Sequence, residues 1–306
     1  MRLSTIAAAA LAGLAFTTAV HAERLTDQPL VDSAWLQQQL ENESLVVLDV
    51  RDAGEAGSPY ATGHIPGAIS APYSTSGWRL EIDGVPGQFP GVEPTAQLIG
   101  SLGIDNDDHV VIVPQGTDSS EIGAATRVYW TFKVLGHDAV SILDGGARAW
   151  EAAGGPLTAE ATTREPATFT AAFRSELLAT TADVQQALAD GVALVDGRPA
   201  PQFRGEAKSP VVATAGTLPG AVNIEHSTIY DASAAAFASS ETLASLAAAV
   251  GLDADEANIA FCNTGHWASV AWFGLSEVLG NKNTSMYDGS MAEWTADPAR
   301  PVVTVQ

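Results

Sequence analysis

The chain has 306 residues, 46% of them hydrophobic and 16% charged, and a formal net charge of −22 at pH 7. That length accommodates two domains, and the apolar content supports buried cores rather than disorder. The excess of carboxylates argues against nucleic acid and anionic membranes as partners, while a single cysteine excludes a disulfide framework and a thiolate metal site.

At the N-terminus, Arg2, the apolar run IAAAALAGLAFTTAV and the small-residue site Val20-His21-Ala22 have the form of a secretory signal peptide cut after Ala22. The run is shorter than the ~20 apolar residues that span a bilayer. Residues 1–22 are therefore expected to be removed, leaving a periplasmic protein with no membrane attachment. From there the chain alternates short apolar strands with amphipathic helices: LVVLDV, a helix near SAWLQQQL or TAQLIGSLG, HVVIV, a helix around ATRVYWTFKVLG, then SILDG. Such alternation predicts α/β domains, each a mostly parallel sheet with helices on both faces.

The pattern then repeats. LVVLDVRD (45–52) returns as VALVDGRP (192–199), aligning Asp49 with Asp196 and Arg51 with Arg198; HIPGAIS (64–70) returns as TLPGAVN (217–223). Gly136, Asp144 and Trp150 match Gly280, Asp288 and Trp294 at one constant offset. A tandem duplication follows, with a first domain over 25–152, a linker over 153–173 where periodicity is lost, and a second domain over 174–306. The recurrent Asp–Arg pairs read as strand-end ties for loop backbone, since buried charges need partners. The recurrent Asp144 and Asp288 read as turn residues.

Cys262 lies in FCNTGHWAS, after the apolar strand NIAF and before a helix expected to begin near Ala268. A residue there sits at the carboxyl edge of a parallel sheet, where ligand crevices form. The backbone N–H groups of residues 263–268 and the helix N-terminus would stabilise a thiolate or an anionic adduct, and Gly265 suits a tightly curled loop. Cys262 could still be a buried structural thiol. A cysteine phosphatase would need Arg six residues after the cysteine to grip phosphate; that position is Ala268. No resolving cysteine is present for a redox pair.

Taken together, the paired LDVR and LVDGR strands, the paired PGA turns, the CNTGHW loop in the second half alone and the YDGSMAEW that follows are similar to the tandem-domain rhodanese family of sulfurtransferases over essentially the whole mature length. The resemblance implies two α/β domains, the first lacking the active-site cysteine. It also implies sulfur transfer through a persulfide on Cys262, from a small anionic donor (thiosulfate, or 3-mercaptopyruvate) to cyanide, a thiol or a protein acceptor, with no cofactor. A non-catalytic sulfur-carrier module is the alternative. In the first half VIVPQGTDSSEIG takes the place of the loop, and its Asp118 and Glu121 disfavour an anion.

The chain departs from the family where donor charge is bound. The Arg and Lys, or the small pair, that follow the cysteine in relatives are Asn263 and Thr264, and a further family arginine is Gln202. The substrate-binding candidates are therefore Asn263, Thr264, Gly265, His266, Trp267 and Ala268 of the loop, with Arg198, Arg204 and Lys208 as nearby cations. His266 reads as a rim residue or a neutral donor, and Trp267 as a packing aromatic or a wall over the sulfur.

Overall fold

The computed structural model describes residues 24–305, and the expected signal peptide lies outside them. In the first half, β1 (Leu30–Val31), β2 (Leu45–Asp49) and β3 (Ile69–Ser70) are followed by a hairpin of β4 (Leu80–Ile82) and β5 (Val85–Gln88), then β6 (His109–Val113) and β7 (Val140–Leu143). The second half has β8 (Leu178–Ala179), β9 (Ala193–Asp196) and β10 (Val222–Asn223), a hairpin of β11 (Tyr230–Asp231) and β12 (Ala236–Phe237), then β13 (Asn258–Phe261) and β14 (Thr284–Tyr287). Each half builds a five-stranded, all-parallel sheet. The orders β1-β7-β6-β2-β3 and β8-β14-β13-β9-β10 are the same topology. Their central strands are buried along their length, as continuous apolar runs such as HVVIV require when helices cover both faces.

Register places the two halves in correspondence. Asp49 pairs with Val113 and Asp196 with Phe261, so the next residues, Pro114 and Cys262, occupy the same point beyond the sheet's carboxyl edge. The amides of Ala147 and Met291 donate to the Pro114 and Cys262 carbonyls in the same way.

The helices that follow these two residues, Ser119–Val134 and His266–Trp272, pack against each other across the halves. The second begins at His266 rather than near Ala268, because Gly265 at φ 73° turns the chain into the helix two residues earlier. It continues as a wider turn over Phe273–Val278, marked by a Leu279 N–H to Gly274 carbonyl bond. The helix Ser119–Val134 is buried on nearly every side, as expected of one enclosed between two domains. Tyr129 packs edge-on to Phe273 with ring centroids 5.0 Å apart, and its hydroxyl donates to Glu277 at 2.8 Å. One continuous apolar core thus runs through both halves.

Residues 153–173, which lack periodicity, are tied along the first half. His64 and Thr158 exchange backbone bonds at 2.9 Å, the Ala167 N–H donates to Gly100, and Phe169 is buried in the core. Partners on the domain surface, not internal repeat, satisfy this segment's backbone. Among the described residues no helix is long and apolar enough to cross a membrane.

Candidate active site

Cys262 leaves β13 with 1% of its surface exposed. The loop that it heads is fixed from below by Ser290, whose Oγ accepts from the Cys262 N–H at 3.0 Å and the Gly265 N–H at 3.1 Å while donating to the Tyr287 carbonyl. Ser290 holds φ 51°, a conformation that costs a non-glycine residue about 1 kcal/mol or more. The Cys262 and Asn263 carbonyls are taken by the amides of Met291 and Ala292, at the start of the helix Ser290–Ala296. The N–H groups of Asn263, Thr264, His266, Trp267 and Ala268 meet no acceptor among the described residues. The loop therefore spends its carbonyls on the protein and keeps most of its donors. None of these donors bonds the sulfur itself; the Ser290 hydroxyl, at 4.0 Å, is its polar neighbour.

Arg127, from the first half, forms a buried ion pair with Asp288 and donates to the Gly265 carbonyl at 3.2 Å. The other Asp288 oxygen accepts from the Phe89 N–H at 2.6 Å, just beyond β5. Its counterpart Asp144 accepts from the Phe237 N–H at 3.0 Å, in β12. Each half thus sends its hairpin to the Asp-Gly loop of the other. Asp144 and Asp288 are more than turn residues: they fasten the halves together.

His266 is half-buried and lines the cavity, with both ring nitrogens engaged. Its Nε2 bonds the Ser120 carbonyl at 2.7 Å, which requires the proton there, and Nδ1 accepts from the Tyr73 hydroxyl at 3.0 Å. Desolvation, reinforced by nearby Arg79, holds its pKa down at about 3, so the ring is neutral. Burial pushes Tyr73 up to about 12. Trp267 donates its indole N–H to Ser120 Oγ at 3.0 Å and stacks on His226 with centroids 4.4 Å apart. It packs between the halves and also forms one wall of the site.

Over Cys262 lies a cavity of about 290 Å³, lined by Asn263, Thr264, His266 and Trp267 of the loop, by Ser209 and Val211, and by Arg79, Pro86 and Gly87 of the first half. The expected cations of the second half do not line it. Arg198 is fully buried, held by Asp196 and the Gly216 carbonyl, just as Arg51 is held by Asp49 and Gly63. Arg204 pairs with Glu206 on the exposed helix end, and Lys208 donates to the Val212 carbonyl. All three are committed elsewhere. Gln202, at the family arginine position, accepts from the Asn263 amide at 2.9 Å, so an amide pair stands where cations were expected. The cation that does line the cavity is Arg79, which the sequence did not single out. Gly265 and Ala268 are buried parts of the loop scaffold. Among the described residues no group of His, Cys, Asp or Glu could hold a metal.

The corresponding loop of the first half is filled from within. Pro114 replaces the cysteine, and the Glu121 carboxylate accepts from the Gln115 N–H at 2.6 Å and the Gly116 N–H at 2.7 Å. Desolvation raises the Glu121 pKa, and Asp118 is spent capping the helix at the amides of Ser120 and Glu121.

A family model described as "Rhodanese-like domain" matches residues 32–153 and again 180–297. Proteins of Mycolicibacterium smegmatis and Haloferax volcanii, each named "Putative thiosulfate sulfurtransferase", are both 33% identical. The alignments cover 89% of this chain and 96% of the first relative, and 87% and 92% for the second. The solved structure of the 3-mercaptopyruvate sulfurtransferase SseA from Escherichia coli superposes with a TM-score of 0.74 at 25% identity, over 86% of this chain and 98% of that one. The anaerobic ergothioneine biosynthesis enzyme of Chlorobium limicola shares the fold, with a TM-score of 0.78 at 23% identity over 91% of this chain and 70% of that one. With two matched domains, a cysteine loop in the second and a self-filled loop in the first, the chain belongs to the tandem-domain rhodanese family of sulfurtransferases.

Proposed function

We propose that the chain transfers a sulfane sulfur from thiosulfate to a thiophilic acceptor through a persulfide on Cys262. The observation that carries this reading is the cysteine at the floor of a small cavity whose loop retains unpaired N–H donors. The Cys262 thiolate attacks the outer sulfur of the donor. A bond forms between Sγ and that sulfur, the donor's sulfur–sulfur bond breaks, and its electron pair leaves with sulfite. The terminal sulfur of the persulfide then carries the negative charge, which loop N–H groups stabilise as an oxyanion hole stabilises oxygen. Cyanide or a thiolate attacks that terminal sulfur and regenerates the Cys262 thiolate.

A second donor, 3-mercaptopyruvate, is supported by the amide pair Asn263–Gln202 and by Arg79 as the one cavity cation among the described residues, which suit a singly charged carboxylate better than a dianion. Intact-mass measurement after exposure to each donor tests both. The expected result is one sulfur added, removed by cyanide and absent in Cys262→Ala; no adduct with either donor overturns the reading. The export signal expected at residues 1–22 would put this reaction in the periplasm, which cell fractionation checks.

A further inference from the structure

We propose that Arg79, in the half without the cysteine, binds the anionic group of the sulfur donor, so that donor affinity in the second half's site is supplied by the first. The inference rests on the sulfurtransferase reading of the Cys262 cavity and names the residue and the ligand chemistry, an oxyanion head such as a sulfonate or carboxylate.

Three observations carry it. Arg79 lines the Cys262 cavity, whereas Arg198, Arg204 and Lys208 do not. Its charge is also unspent. The chain has 36 acidic residues against 14 basic ones, and Arg24, Arg51, Arg127, Arg164, Arg174, Arg198, Arg204 and Arg300 each pair with a carboxylate. Arg79, half-buried, has no carboxylate at ion-pair distance among the described residues; Arg148 and Lys208 also lack one, but each donates to a carbonyl away from the cavity. Finally, it is held in place by groups that leave its charge intact. Nη1 donates to the Thr264 carbonyl, within the cysteine loop, at 3.3 Å, and the guanidinium lies over the Tyr73 ring at 4.9 Å. One of its five N–H donors is thus used on the loop, and the rest of the planar fork is left for an oxyanion. Gly87 keeps the space open, since a Cβ there would stand 3.0 Å from Arg79 Nη1 and 3.1 Å from the Thr264 oxygen.

The alternative role, a structural tie between hairpin and loop, would affect all donors alike. The experiment is persulfide formation on the full chain at varied donor concentration, comparing wild type, Arg79→Gln and Arg79→Lys. Thiosulfate and 3-mercaptopyruvate serve as the anionic donors for persulfide formation. An uncharged organic trisulfide serves as a neutral control: the Cys262 thiolate breaks its sulfur–sulfur bond as an organic thiolate or persulfide leaves, and its reaction is read as loss of the free Cys262 thiol. Loss of a charge-assisted hydrogen bond predicts a half-saturating concentration about 10- to 100-fold higher for an anionic donor in Arg79→Gln. The maximal transfer rate should be little changed, Arg79→Lys intermediate and the trisulfide unaffected. A shift with thiosulfate identifies a sulfonate, and one with 3-mercaptopyruvate a carboxylate. No shift for either, or an equal loss with the trisulfide, overturns the proposal.

Sulfite binding to Cys262→Ser by calorimetry, with and without Arg79→Gln, reads the same site without any sulfur transfer. Weaker binding in the double variant supports Arg79, and equal binding overturns it. Failure of the wild type to take up sulfur from any donor would instead sink the transferase reading and leave the calorimetric result to decide on Arg79.

Discussion

Asp288 and Arg127 come from opposite halves of the duplicated chain, and their buried ion pair lies directly against Gly265 of the cysteine loop. Removing one partner leaves the other charge buried and uncompensated, which costs about 3–5 kcal/mol. Asp288→Ala is therefore expected to lower unfolding stability by that order in a denaturant titration, and to reduce sulfur transfer even where the chain is folded. A variant as stable as wild type would show that the pair is not what holds the loop.

Gly265 is expected to tolerate no side chain. At φ 73° an added Cβ would stand 2.2 Å from Arg127 Nη1 and 2.5 Å from Asp288 Oδ1. Gly220 has almost the same conformation, φ 72°, with nothing within 4 Å of the added atom. Gly220→Ala should cost only the backbone term, about 1–2 kcal/mol, and leave transfer rates unchanged. Gly265→Ala should abolish transfer. Similar behaviour of the two variants in paired rate and unfolding measurements would rule out steric placement of the loop as the cause.

Ser290 combines an unfavourable backbone angle with three hydrogen bonds to its hydroxyl. Ser290→Ala strands the Cys262 and Gly265 N–H groups, at about 1–3 kcal/mol per buried unsatisfied donor. Ser290→Gly loses the same bonds but relieves φ 51°, so it should unfold at higher denaturant than Ser290→Ala while being as slow in persulfide formation. Full activity in either variant would show that the hydroxyl does not set the loop.

Acid should destabilise the fold early. Desolvation holds His266 at about 3, and His109 and His137 at about 4, against an ordinary 6.5; His226 is also lowered. Below about pH 6.5 the unfolded chain binds these protons and the folded one does not, so stability present at neutral pH is lost as pH falls toward 4. The slope is up to about 1.4 kcal/mol per pH unit for each proton taken up. Asp108, Glu121 and Asp144, raised by burial, act in the opposite sense at lower pH. Thermal unfolding from pH 7 to 5 should show a falling midpoint; a flat profile would contradict the neutral buried rings.

The duplication was legible because both halves bury the same strands as apolar runs and repeat the same Asp, Arg, Gly and Trp at matching positions. The position of Cys262 followed from its strand and helix neighbours. Arg79 was not legible: nothing local in WRLEIDGVPGQFP shows that a hairpin will reach the opposite domain. Its Asp83-Gly84 turn, with both residues at positive φ, is readable as a two-residue hairpin, but its destination is set by the pseudo-symmetric docking. Arg204 and Lys208 were nominated by nearness in sequence, which does not say where a side chain is spent. The hydrogen-bond partners of His266 were hidden for a related reason, since they are Tyr73 and Ser120 of the other half.

Glu121 gives the silent half a role of its own. By holding the Gln115 and Gly116 amides, its carboxylate occupies loop donors that would otherwise be open to an anion. The same turn keeps the Ser120 carbonyl and hydroxyl on His266 and Trp267. A duplicated chain that fills one of its two loops in this way gains a rigid surface against which the other is shaped.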